Sequence, residues 1–142
     1  MRRALIDTGA IYALVARTDQ NHAAAARFLK SWLSQGGLFV LADVVFAETM
    51  TLAKRRLGTA VALRVGRELR QNPVYVWTVL SPPLERETWV LFQQYDDKDW
   101  SYTDCALLAL AEHLKIRDVF AFDEDFDQMP GLTRHPRRAP RL

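Results

Sequence analysis

Four acids stand where an acid is not needed for solubility. Asp7 follows the apolar run Ala4-Leu5-Ile6, and Asp123 follows Val119-Phe120-Ala121-Phe122. Glu48 sits in a helical stretch with Val44, Val45, Thr51 and Leu52 at its i±3 and i±4 positions. Asp104 opens a segment that is apolar almost all round from Cys105 to Ala111. A carboxylate withdrawn from water is costly unless it is paired or bound to a cation, and several together repel one another. A divalent ion resolves both penalties. Carboxylate oxygens suit hard Mg²⁺ or Mn²⁺, whereas the scattered His22, His113 and His135 and the single Cys105 make no zinc set. The chemistry indicated is hydrolysis by an activated water, with no side chain as nucleophile.

Each acid alone has a plainer reading. Asp7 can cap a strand-to-helix junction, Asp123 can belong to the acidic turn Asp123-Glu124-Asp125-Phe126-Asp127, and Ser101-Tyr102-Thr103-Asp104 is a capping-box pattern. Glu48, mid-helix, has no cap to make. The four together, at gaps of 41, 56 and 19 residues, favour one site.

The elements that must position them follow from periodicity and punctuation. Strands are predicted at 2–6, 38–41, 73–79 and 118–122, and helices at 8–17, 21–35, 43–57, 59–70, from Pro82 to near Asp97, and 103–115. Gly36-Gly37 and Gly58 end helices, and Pro82-Pro83 starts one. Strands alternating with helices imply an α/β layer fold with a mainly parallel sheet, whose working groups lie at the carboxyl ends of strands. Asp7 and Asp123 both fall there.

At 142 residues the chain is one domain, with ordinary proportions of apolar (49%) and charged (25%) residues. One cysteine excludes an internal disulfide and fits a reducing cytosol. Arg2-Arg3 followed by residues 4–16 imitates a signal peptide, but Asp7 interrupts the apolar run; no segment is long enough to span a membrane, and a cytoplasmic location is expected.

Charge is uneven. Residues 134–142 hold Arg134, Arg137, Arg138 and Arg141 and no acid; without those four the body has 15 bases against 17 acids. We therefore expect residues 1–133 to form the domain and 134–142 a basic tail in contact with a polyanion.

Five segments in order resemble the PIN-domain nucleases, above all the VapC-type toxin ribonucleases. They are Leu5-Ile6-Asp7-Thr8, Asp19-Gln20-Asn21-His22-Ala23-Ala24-Ala25, Val45-Phe46-Ala47-Glu48, Asp99-Trp100-Ser101-Tyr102-Thr103-Asp104-Cys105 and Phe122-Asp123-Glu124-Asp125-Phe126. The resemblance runs from Leu5 to about Leu132. It implies a three-layer α/β domain, a small mostly parallel sheet flanked by helices. It further implies an Mg²⁺- or Mn²⁺-dependent endoribonuclease, the toxin of a type II toxin–antitoxin pair. Asp7, Glu48, Asp104 and Asp123 would hold one or two ions and carry catalysis, while Thr8 and Ser101 would orient carboxylates or water. RNA and a cognate antitoxin are the implied partners, and a homodimer the implied assembly. Ala121 stands where the family often has a hydroxyl, and Asp99 and Asp125 crowd the same site. Other readings within the family are a non-toxin ribonuclease of RNA processing and a catalytically idle interaction module.

A different resemblance is misleading. Ala4-Leu5-Ile6-Asp7-Thr8-Gly9-Ala10 is similar to the active-site signature of retroviral-type aspartic proteases, and Val65-Gly66-Arg67 mimics their later motif. Those enzymes are all-β, whereas residues 21–35 and 43–57 are strongly helical.

Overall fold

The computed structural model describes residues 2–137. Five short strands form its centre, all but the last largely apolar: β1 (Arg3–Ile6), β2 (Leu38–Ala42), β3 (Tyr75–Thr78), β4 (Asp118–Phe120) and β5 (Thr133–His135). All pair in parallel, in the order β3-β2-β1-β4-β5. Six helices flank the sheet: α1 (Thr8–Val15), α2 (His22–Ser34), α3 (Asp43–Leu57), α4 (Thr59–Gln71), α5 (Pro82–Gln94) and α6 (Tyr102–Leu114). Parallel strands cannot be joined by tight hairpins, so each link crosses the sheet through other elements.

The strand order explains where a site can form. From β1 the chain moves one way to β2 and β3, then returns through α5 and α6 to add β4 on the other side of β1. The reversal leaves a crevice at the carboxyl ends of β1 and β4, the usual ligand position in such sheets. Register fixes it locally: Ile6 pairs with Phe120, and the Asp7 N–H donates to the Phe120 carbonyl at 3.0 Å.

The central strands are buried on both faces, as a parallel sheet covered by helices requires. Phe39 and Phe120 are wholly buried with ring centroids 5.6 Å apart, and Phe28 and Trp32 of α2 pack on them. Ala4, opposite Phe39, has a side chain small enough to leave room for these rings. Burying each phenylalanine contributes roughly 2–3 kcal/mol. α6 is buried continuously from Asp104 to Ala111, as its unbroken apolar sequence predicts. Trp32 also explains Gly37: a Cβ there would lie 2.4 Å from the indole Nε1, which donates to the Leu38 carbonyl. Gly58, at φ 90°, makes the turn between α3 and α4 that a side chain would resist.

Two expectations change. The strand at 133–135 and a 3₁₀ turn at Glu124–Gln128 carry no sequence periodicity, being short and polar, and pairing with β4 alone makes β5 a strand. The body therefore continues past residue 133. Arg134, assigned to a free basic tail, lies within β5 and forms a double hydrogen bond to Asp127 at 2.9 and 3.0 Å, its side chain only 9% exposed. Its backbone is held by the ladder and its charge by that carboxylate, so it is a structural cation. Arg137 is exposed, and Arg138 and Arg141 lie outside the described residues.

Candidate active site

Asp7 leaves β1 at the crevice and is 8% exposed. Its carbonyl accepts from the N–H groups of Ala10 and Ile11 and so starts α1, but its carboxylate makes no cap hydrogen bond. The capping explanation for this acid therefore fails. Its carboxyl is pushed up from 3.8 to about 7, first by burial, then by Asp104, with smaller contributions from Glu48 and Asp123 and a partial offset from the Thr8 N–H. Three acids far apart in sequence thus converge on one.

Asp104 satisfies both of its readings at once. Its Oδ2 accepts from the Ser101 N–H at 2.9 Å and its own N–H donates to Ser101 Oγ at 3.0 Å, a complete capping box. The cap fixes the rotamer and leaves the second carboxylate oxygen for the crevice. Asp104 is 7% exposed, and its pKa rises through burial and the nearby Asp123 and Asp125, against the lowering hydrogen bonds from Ser101.

Glu48 and Asp123 differ: both are exposed. The half-apolar setting expected for Glu48 is not found, because this face of α3 opens on the crevice mouth. Its Oε2 accepts from Thr103 Oγ1 at 3.0 Å, tying α3 to the first turn of α6. Thr103 carried no signal in the sequence beyond adjoining Asp104, since its partner is 55 residues away. Asp123 caps the 3₁₀ turn by accepting from the Asp125 N–H at 2.9 Å, so its acidic-turn reading also holds. Carboxylate oxygens of Asp104, Asp123 and Asp125 lie within 4.8 Å of one another. The Asp125 carboxyl is itself pushed up, first by desolvation, then by Asp123 and Asp99, which places Asp99 at the rim.

The donor set fits a hard divalent cation. It is all oxygen, and the ion pairs among the described residues, Arg134–Asp127 and His135–Asp118, leave it uncompensated. Thr8 Oγ1, beside Asp7, is buried without a hydrogen-bond partner, as a hydroxyl awaiting a ligand or water would be. Trp100 packs against Tyr95 with tilted rings 4.5 Å apart and braces the turn into α6. Cys105 is buried with its thiol pKa raised by burial and by Asp104, the opposite of an activated nucleophile. His22 bonds the Ala13 carbonyl and His135 bonds Asp118, both structural roles.

Comparison with known proteins agrees with this geometry. The family model of the PIN domain matches residues 4–132. The chain belongs to the PIN domain family. Within it, the chain is 28% identical over 121 residues to VapC20 of Mycobacterium tuberculosis, described as a 23S rRNA-specific endonuclease, covering 85% of this chain and 89% of that protein. The crystal structure of that VapC20, a sarcin-ricin loop cleaving toxin, superposes with a TM-score of 0.81 at 26% identity, over 89% of this chain and 95% of that one. VapBC2 from Rickettsia felis, solved on a DNA fragment from its promoter, shares the fold at TM-score 0.72 and 10% identity, over 94% and 97% of the two chains. The PIN fold is thus the architecture of this chain, with a five-stranded parallel sheet flanked by six helices among the described residues. Among the described residues no helix is long and apolar enough to cross a membrane.

Proposed function

We propose that this PIN domain is an Mg²⁺- or Mn²⁺-dependent endoribonuclease of the VapC type, the toxin of a toxin–antitoxin pair. The observation that carries the chemistry is the buried Asp7, its carboxyl raised to about 7 by burial and by acids from three other segments. Likeness to VapC20, an rRNA endonuclease, supports RNA as the substrate.

In this reading Asp7 and Asp104, on the buried side of the crevice, would hold an ion together with Glu48 and Asp123 on the open side. Asp125 is near enough to join them. When bound, the ion acidifies a water and offsets charge developing on the phosphate. Ser101 fixes the Asp104 carboxylate, Thr103 fixes that of Glu48, and the Thr8 hydroxyl can orient a water beside Asp7. Because burial and the neighbouring acids push the Asp7 carboxyl up to about 7, a bound ion would have to compete with a proton there.

An antitoxin and a second copy of the chain belong to the same proposal. The former is tested by looking for an antitoxin-like reading frame immediately upstream and co-expressing its product, the latter by analytical ultracentrifugation. The activity is tested by incubating the purified chain with RNA and Mg²⁺ or Mn²⁺. Cleavage that stops with EDTA and returns with excess ion is the expected result; undiminished cleavage after thorough chelation excludes the metal mechanism.

A further inference from the structure

Beside the acids lies a cleft of opposite character. It has a volume of about 660 Å³ and opens between α2, the segment after β4, and the residues around β5. Arg27 and Phe28 of α2 line one side, Phe122 and Arg137 the other, with Gln20 and Asn21 at one end. None of its lining residues is acidic. Phe122 is the residue before Asp123, so the cleft begins where the acid cluster ends.

We propose that this cleft is the subsite for a single-stranded stretch of RNA flanking the cleaved phosphate. The inference rests on the ribonuclease reading above and adds where the substrate lies.

The argument is electrostatic first. A polyanion nearing a group of carboxylates is repelled unless cations flank its path. Arg134, which also borders the cleft, is committed to Asp127, and its Nη1 reaches the Ala121 carbonyl at 3.5 Å. It shapes the wall. Arg27 and Arg137 are exposed and form no ion pair among the described residues, so they are the groups available to phosphates. Guanidinium forks match phosphate oxygens in pairs.

Shape and chemistry then separate RNA from other polyanions. Phe122 is a half-buried wall whose ring meets Phe120 edge to face, and bases stack on such rings irrespective of sequence; Phe28 lines the cleft but is already stacked on His135 and packed against Phe120. Gln20 and Asn21 offer amide donors and acceptors for a base edge or a ribose 2′-hydroxyl. A concave cleft of this size suits an unstacked nucleotide, whereas a duplex presents only its shallow groove and backbone. An acidic peptide would satisfy the arginines but leave the Phe122 ring unused.

The test is RNA affinity by fluorescence anisotropy, using the full chain carrying Asp104→Asn to prevent turnover and a labelled single-stranded oligoribonucleotide as probe. Adding Arg27→Gln and Arg137→Gln together should weaken binding about tenfold and lower the slope of log K against log salt by about 1.4, two phosphate contacts at about 0.7 each. Lys115→Gln with Arg117→Gln, at the amino end of β4, removes equal charge and should change neither. Photo-crosslinking of a thiouridine-bearing RNA to the protein with an intact cleft should place adducts within residues 20–28 or 122–137, a result independent of how the variants fold. If the wild type cleaves RNA but the cleft variant keeps its affinity and slope, or adducts fall only elsewhere, the subsite is overturned and the ribonuclease reading stands. Retained RNA affinity with lost binding of a hexaglutamate peptide overturns it in favour of an acidic protein segment. If the wild type cleaves no RNA with either metal, the ribonuclease reading fails and the subsite fails with it.

Discussion

The site has two halves that are chemically alike and physically opposite. Asp7 and Asp104 are buried at strand and helix ends, and their carboxyls are pushed up by burial first and by neighbouring acids second. Glu48 and Asp123 reach the same crevice from its exposed side. The inner pair is therefore held at a cost in the metal-free protein, while water relieves the outer pair. In the proposed metal site the inner pair would set position, and the outer pair would complete the charge. If this division is right, variants of the two halves should behave differently.

The largest effect belongs to the inner half. Asp7→Asn and Asp104→Asn should each lower RNA cleavage by at least about 100-fold, the scale of losing one directly acting polar group. Both should leave the fold intact, because Asn at 104 can still accept from the Ser101 N–H. Wild-type cleavage by either variant, measured with saturating Mg²⁺, breaks the assignment.

Stability should move the other way. The Asp7 carboxyl titrates near 3.8 in the unfolded chain and near 7 in the fold, so its contribution is fully present below pH about 4 and lost as the pH climbs through about 7. The loss is on the order of 4 kcal/mol, from about three units at 1.36 kcal/mol each. The EDTA-treated protein should melt at a lower temperature at pH 8 than at pH 5. Asp7→Asn should melt several degrees above wild type at pH 8 and show a shallower pH profile. Equal melting of the wild type at both pH values would mean that Asp7 is not held as described.

The outer half should be more forgiving. Glu48→Gln and Asp123→Asn should lower cleavage by about 10- to 100-fold, with little change in melting temperature. An inner-sized stability gain in either variant would erase the distinction between the halves.

The smallest effects sharpen how each half is braced. Ser101→Ala removes a helix cap and should cost about 1 kcal/mol of stability, together with some activity through the freed Asp104. Thr103→Val should lower cleavage by about tenfold at most, recovered by Thr103→Ser, which restores the hydroxyl to Glu48. Failure of serine to rescue would show that packing, not the hydrogen bond, is the role of Thr103.

Much of this was legible before any coordinates. Runs such as Ala4-Leu5-Ile6 and Leu38-Phe39-Val40-Leu41 declare buried parallel strands, and Gly36-Gly37, Gly58 and Pro82-Pro83 mark helix limits within a few residues. Acids set against apolar runs predict burial, which holds for Asp7 and Asp104 and fails for Glu48 and Asp123. Those signals are local, and a linear pattern carries them.

Tertiary structure alone decided the rest. It alone decided that Asp104 is at once a cap and a site acid, and that Glu48 stands in the open. The pKa of Asp7 depends on acids up to 116 residues along the chain, a convergence that no periodicity encodes. Arg134 looked like the start of a loose basic tail because its partner strand and its carboxylate, Asp127, are set by sheet register rather than by neighbouring residue types. Local sequence determines which residues are apolar, charged or turn-forming, and hence the elements. Which charges meet, and whether water reaches them, is decided only when those elements pack.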